Sequence, residues 1–256
     1  MTPMKLSFLL ILLMMLTGCG GPDRSGRLVV IDAGHGGHDC GAQCGGKQEK
    51  DLVLQVVHKL YKAFKREGYR VYMTRGNDRF LTLGQRTHIA DQKDADVFIS
   101  IHANAIADKS RFESVEGVET YFLQKTRDSR SQRIAQREND AVLKGADMLS
   151  RDVIVDSVLA GPKIIESHKL AIDVQKHIMQ SLHRAYRDAR NGGAKPAPFY
   201  VLVGASRPSI LVEVGYITNT KERKRLFDPE YQERIAKGIV EGVNRYLDNR
   251  ERELGI

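Results

Sequence analysis

Short apolar runs, each closed by glycine or a polar side chain, alternate along this chain with longer segments whose apolar positions recur every three or four residues. Leu28-Val29-Val30-Ile31 is the first such run, and its length and β-branched content predict a strand buried on both faces. Leu52, Val53, Val56, Val57, Leu60 and Phe64 then mark one face of an amphipathic helix closed by Gly68. Tyr69–Met73 predicts a strand, Leu83–Gln92 a helix, Val97–His102 a strand, and Gly117–Phe122 a further strand at a sheet edge. The stretch from Gln124 to Ile165 is polar and charged and breaks the rhythm, with a helix predicted around Ser131–Leu149. The pattern resumes with a helix over Ser167–Ala189, short strands at Phe199–Val203 and Ile210–Val212, and helices at Thr220–Phe227 and Pro229–Leu247. Such alternation predicts an α/β fold with a mostly parallel sheet covered by helices on both faces, and residues 124–165 as a helical insertion.

The chain opens differently. Lys5 precedes an apolar run from Leu6 to Leu16, too short to cross a bilayer and ending in small residues, which reads as an export signal. Leu16-Thr17-Gly18-Cys19 resembles the lipobox of bacterial lipoproteins, in which the cysteine becomes the lipidated N-terminus. An ordinary secretory signal that happens to hold a cysteine is the alternative. Residues 20–26 are rich in glycine and polar groups and read as a tether. Gly20, rather than Asp, after the cysteine resembles lipoproteins passed on to an outer membrane. A periplasmic, membrane-tethered location is the expectation, with a catalytic domain over residues 27–250.

The formal net charge of +8, or +7 once Lys5 is removed with the signal, suits an anionic partner such as a cell-wall polymer or a membrane face. Nucleic acid is disfavoured, because no aromatic-basic binding motif is present. Cys40 and Cys44 share a glycine-rich loop with His35 and His38, so a Cys/His zinc site is conceivable. In an oxidising compartment a local disulfide is the simpler expectation, with reduced free thiols as a further alternative.

Three strand ends carry the candidate chemistry. The first predicted strand runs into Asp32-Ala33-Gly34-His35, the third into His102-Ala103-Asn104, and the run from Ile210 into Glu213. Polar groups at the carboxyl ends of a parallel sheet lie where ligands bind in open α/β folds. A lone loop histidine is often satisfied by a backbone carbonyl, but three such ends in one domain converge on a site. His35, Glu49 and His102 form a His₂Glu donor set of the kind that holds catalytic zinc with one position left for water. Glu49, at a helix start, also suits the helix dipole. Glu213 is then left to accept a proton, and a zinc ion lowers the pKa of water from near 16 to roughly 7.

The segments VVIDAGHGGHDCGA, QEKDLVL, MTR, SIHAN, GVETYF and LVEVGYITN, in that order, together resemble the zinc-dependent N-acetylmuramoyl-L-alanine amidases of the amidase 3 family. The resemblance covers about Leu28 to Leu247 and implies a mostly parallel six-stranded sheet flanked by helices. It implies that His35, Glu49 and His102 hold zinc, that Glu213 is the catalytic glutamate, and that the substrate is the amide between N-acetylmuramic acid and L-alanine in peptidoglycan. Asn104 is a candidate for hydrogen-bonding the scissile carbonyl or another part of the substrate, with turn capping as the alternative. Some members carry a helical insert here that covers the site until an activator protein removes it. By that likeness Glu138 is a candidate plug, against the alternative of a solvated hairpin. The Cys40/Cys44 pair and the lipobox lie outside the shared motifs. A non-catalytic peptidoglycan-binding lipoprotein and a zinc carbohydrate deacetylase are the rivals, and the filled donor set and the order of the six motifs disfavour them.

Overall fold

The computed structural model describes residues 23–140 and 162–255. The export signal, Cys19 and positions 141–149 of the predicted insertion helix lie outside those residues. Among the described residues, six strands form one sheet in the order β4-β1-β5-β8-β6-β7. They are β1 (Leu28–Ala33), β4 (Arg70–Met73), β5 (Val97–Asn104), β6 (Val118–Leu123), β7 (Asn191–Ala197) and β8 (Ser209–Tyr216). All neighbouring pairs are parallel except β6 with β8. A two-stranded hairpin, β2 (Gln43–Cys44) and β3 (Lys47–Gln48), stands apart from the sheet. The helices are α1 (Glu49–Arg66), α2 (Leu83–Gln92), α3 (Ser129–Asp140), α4 (Pro162–His183), α5 (Thr220–Leu226) and α6 (Pro229–Leu254).

Alternate residues of each central strand feed two apolar layers, because successive side chains leave a strand on opposite faces. Val29, Ile31 and Ala33 join Leu52, Val56, Leu60, Leu170, Val174, Ile239 and Val243 beneath α1, α4 and α6. Leu28, Val30, Phe98 and Leu211 join Ala90, Ile134, Ala135, Phe199 and Leu202 on the other face, under α2 and α3. On the first face α4 and α6 touch backbone to backbone. A Cβ at Gly238 would press on Ile178 Cα, and one at Gly242 on Val174 Cα, far inside van der Waals contact. The amino-terminal segment is fixed at the foot of the sheet, where Arg24 pairs with Asp248 and Arg27 with Asp96 and Glu251.

The sheet differs from the sequence expectation at its far edge. The apolar run Phe199–Val203 is a tight 3₁₀ turn centred on Tyr200–Leu202 rather than a strand, and it packs beneath α3. The strand there is Asn191–Ala197, whose two glycines and Pro196 read as loop. It forms because an edge strand need not be apolar on both faces and tolerates the N–H that proline lacks. The Gly117–Phe122 segment, expected at the edge, therefore lies inside the sheet between β8 and β7. Helix α4 starts five residues earlier than its apolar pattern indicates, at Pro162, and ends at His183.

Candidate active site

The loop after β1 is pinned from below by two buried guanidinium groups. Arg75 donates to Ala33 O (2.9 Å) and Gly34 O (2.7 Å), and Arg86 donates to His35 O (2.7 Å) and Asp32 Oδ1 (2.9 Å). So held, His35 adopts φ 58°, a left-handed conformation that costs a non-glycine residue of order 1–3 kcal/mol and marks an over-determined site. Asp39 Oδ2 lies 2.9 Å from His35 Nδ1, which directs Nε2 inward. Gly34 leaves the room His102 needs, since a Cβ there would meet the imidazole ring. Gly41, at φ 62°, likewise lies against His35 and Glu49.

Glu49 is the first residue of α1 and has no exposed surface. Its Oε2 accepts from Ala42 N (2.8 Å) and its Oε1 from Ala103 N (2.8 Å), so both its loop and β5 fix it. His35 Nε2 lies 3.0 Å from Glu49 Oε1 and 3.1 Å from Glu138 Oε2. His102 Nδ1 lies 3.2 Å and 3.1 Å from the same two oxygens. His35 Nε2, His102 Nδ1 and Glu138 Oε2 are buried and make no hydrogen bond of acceptable geometry, so they face one another across a common centre. Donors around a tetrahedral zinc ion at roughly 2.0–2.1 Å lie about 3.3 Å apart, close to these four separations, and all four donor atoms lie within 4.8 Å of one another, so the cluster could hold a metal ion. Burial opposes a proton on His102, but the adjacent Glu138 and Glu49 carboxylates prevail and lift it to about 9. Burial likewise opposes charge on Glu49, yet the neighbouring imidazoles lower it to about 2.

Glu213 sits beside this cluster, in register with His102 on β5 and Glu119 on β6. It is fully buried and neither carboxylate oxygen has a hydrogen-bond partner. Burial, reinforced by the charge of Glu138, pushes its carboxyl well above the ordinary carboxylate range. Arg137 of α3 lies 3.8 Å from Glu213 Oε1 and donates to Glu138 Oε1 (2.8 Å) and to Ala105 O. Arg130, also of α3, pairs with Glu119 (2.9 Å) and with the Tyr216 hydroxyl.

The structure thus brings His35, Glu49, His102, Glu138 and Glu213 together, and puts Asn104 at the adjoining wall. It does not join the cysteines to them. Both thiols are free, and Cys44 Sγ accepts from Arg223 (3.2 Å) instead of meeting Cys40. The expected disulfide is absent because Cys44 pairs with Lys47 in the β2–β3 hairpin, while the backbone around Cys40 and Ala42 is bonded to Glu49 and Lys50. Sequence reasoning missed Asp39, Arg86 and Glu119 as parts of the site. A carboxylate four residues after His35 in a glycine-rich loop was a legible signal for Asp39; Arg86 and Glu119 lie in ordinary amphipathic patterns.

An α/β domain thus gathers at its strand ends a donor set that could hold a metal ion, with a buried carboxylate alongside that makes no hydrogen bond. The Amidase_3 profile, described as N-acetylmuramoyl-L-alanine amidase, matches residues 29–245, and the chain belongs to that family of peptidoglycan amidases. It is similar to YqiI of Bacillus subtilis (34% identity, covering 87% of this chain and 86% of that protein). It is also similar to the amidase AmiC of Escherichia coli (33% identity, 88% of this chain), of whose length it spans 55%. Among solved structures, an N-acetylmuramoyl-L-alanine amidase from Clostridium difficile superposes with a TM-score of 0.66 at 30% identity, covering 88% of this chain and 99% of that one. The CwlD amidase of Clostridioides difficile, solved in complex with the GerS lipoprotein, gives a TM-score of 0.64 at 26% identity, covering 87% and 99%.

Proposed function

We propose that the chain is a zinc-dependent amidase that cleaves the bond between the lactyl group of N-acetylmuramic acid and L-alanine of the stem peptide, acting in cell-wall remodelling or daughter-cell separation. The observation that carries this reading is the set of inward-facing, unpartnered donors on His35, His102 and Glu138, with Glu49 between the imidazoles and Glu213 beside them. His35, Glu49 and His102 would hold zinc, which when bound supplies Lewis acidity and a water nucleophile near neutral pH. Glu213 takes a proton and returns it to the departing amine. Its burial strengthens it as an acceptor by raising its proton affinity. Asp39 keeps His35 in the tautomer whose Nε2 is free to coordinate.

Glu138 gives the site a fourth protein donor, whereas a hydrolytic site keeps one position open. We read α3 as a self-inhibiting cover that a partner displaces. CwlD in complex with a lipoprotein is a related amidase with a bound partner. Zinc analysis of the purified chain, with mass-spectrometric identification of products from intact peptidoglycan, tests the reading as a whole. One ion per chain and free stem peptides are expected; sugar-chain fragments or deacetylated glycan would overturn it. His102→Ala is expected to abolish stoichiometric zinc, and full occupancy in that variant would show the donor set to be wrong.

The lipobox places the chain, in this reading, on a membrane of the cell envelope through Cys19, in the periplasm and on the outer membrane of a host that has one. One acyl chain binds a bilayer only marginally, but several together anchor stably. Cys19→Ala is therefore expected to move the protein to the soluble fraction, and unchanged fractionation would remove the anchor.

A further inference from the structure

We infer that Glu119 fixes the polarity of Asn104, so that the wall beside Glu213 meets the substrate with hydrogen-bond acceptors and receives an N–H of the stem peptide. The inference rests on the amidase reading above and assigns a part of the same cleft. Glu119 is fully buried on β6. Its Oε1 takes Lys195 Nζ (2.8 Å) and Arg130 (2.9 Å), and its Oε2 takes the Tyr121 hydroxyl (2.9 Å), the Tyr216 hydroxyl (3.2 Å) and Asn104 Nδ2 (3.1 Å). With five donors converging on its two oxygens, the Glu119 carboxyl serves Asn104 as an acceptor.

That settles how Asn104 lies. Its Nδ2 serves Glu119 and the Tyr216 oxygen (2.9 Å), while its Oδ1 accepts from Ala105 N (3.0 Å). Turned over, the amide would set its oxygen against the Glu119 carboxylate and its NH₂ against the Ala105 N–H, leaving buried groups unpaired at about 1–3 kcal/mol each. Asn104 Nδ2 is therefore turned away from the cleft, toward Glu119 and Tyr216. In this arrangement it offers a substrate its oxygen rather than its NH₂. The cleft sees Asn104 Oδ1 and Ala105 O instead.

In the present structure a cation covers these two acceptors. Arg137 Nη1 lies 3.3 Å from Asn104 Oδ1 and also donates to Ala105 O. Displacing α3 removes Arg137 and Arg130, but Lys195 belongs to β7 and stays with Glu119, and Ala105 N stays with Oδ1. The polarity of the wall is thus a property of the sheet and outlasts opening. Arg137 holds the place of a donor that the substrate brings. The amide N–H between the first and second residues of the stem peptide is the nearest donor to the reacting carbonyl that is not itself cleaved.

The test compares two substrates, a muramyl tetrapeptide and its analogue with that N–H replaced by an ester oxygen, on full-length chain carrying Glu138→Ala. Losing one hydrogen bond is expected to lower kcat/KM about tenfold for the ester. Adding Asn104→Ala or Glu119→Leu is expected to shrink that penalty to about threefold or less, since the acceptor is absent or no longer oriented. A purely structural role for either residue would depress both substrates alike and leave their ratio unchanged. Lys195→Met, at a part-exposed position, repeats the reading if Glu119→Leu fails to fold. An ester penalty that is absent at the outset, or equal in every folded variant, overturns the subsite while zinc content and amide hydrolysis still support the amidase. A zinc-loaded chain that leaves the amide substrate intact overturns the amidase reading and the subsite together.

Discussion

Glu213→Gln is expected to lower turnover about 10²- to 10⁴-fold while leaving the metal in place, the range typical of losing a general base. The substitution keeps size and shape in a position with no exposed surface. It replaces none of the four donors gathered around the centre, of which His35 is held by Asp39, Glu49 by Ala42 and Ala103, and Glu138 by Arg137. What it removes is a carboxylate that makes no hydrogen bond and meets only the guanidinium of Arg137, at 3.8 Å. An amide in its place cannot accept and carry a proton. Metal analysis and turnover measured on the same sample decide the matter. Near-normal turnover with zinc retained would take the proton-acceptor role away from Glu213.

The second large effect has the opposite sign. Glu138→Ala is expected to raise basal amidase activity roughly 10- to 10³-fold, because a minor open state is populated at about 0.1–10% when a few kcal/mol hold the closed one. The gain is bounded because α3 keeps its other holds. Arg130 still pairs with Glu119, Asn139 still bonds Pro198 O and Tyr200 N, and Ile134 and Ala135 remain in the apolar layer. Replacing residues 127–161 with a short Gly-Ser bridge goes further and keeps all of α4, including Lys163 Nζ on Leu202 O (2.8 Å). A folded, zinc-loaded chain with unchanged or lower activity in both variants would make α3 a passive element.

What the sequence disclosed, and what it did not, follows from how locally each feature is encoded. β1, β5 and β8 are short β-branched runs whose burial on both faces leaves an unbroken apolar signature, and the polar residues that end them were read as a site. Glu49 was legible as a helix start. β7 was not, because NGGAKPA forms a strand only through pairing with β6 at an edge and carries no pattern of its own. Nor was Glu119. A glutamate in an alternating strand reads as a solvent-facing residue, and only the folded sheet shows Lys195 and Arg130 meeting it. The cysteines misled for a related reason. Spacing suggested a bridge, but the loop between them is committed by its backbone to Glu49, which spacing does not report.

The glycine-to-backbone seam between α4 and α6 has a bearing on where the molecule can bend. Two helices that meet through Gly238 and Gly242 without intervening side chains cannot slide or tilt without collision around Val174 and Ile178, which ties that part of α4 to α6. Movement of α3 has to be taken up elsewhere. On its amino-terminal side the only slack lies between Leu123 and Ser129, where Asp128 caps the helix through Ser131 (2.7 Å). Those five residues, 124–128, are where lifting of the proposed cover would be taken up on that side, leaving the sheet and its donors undisturbed.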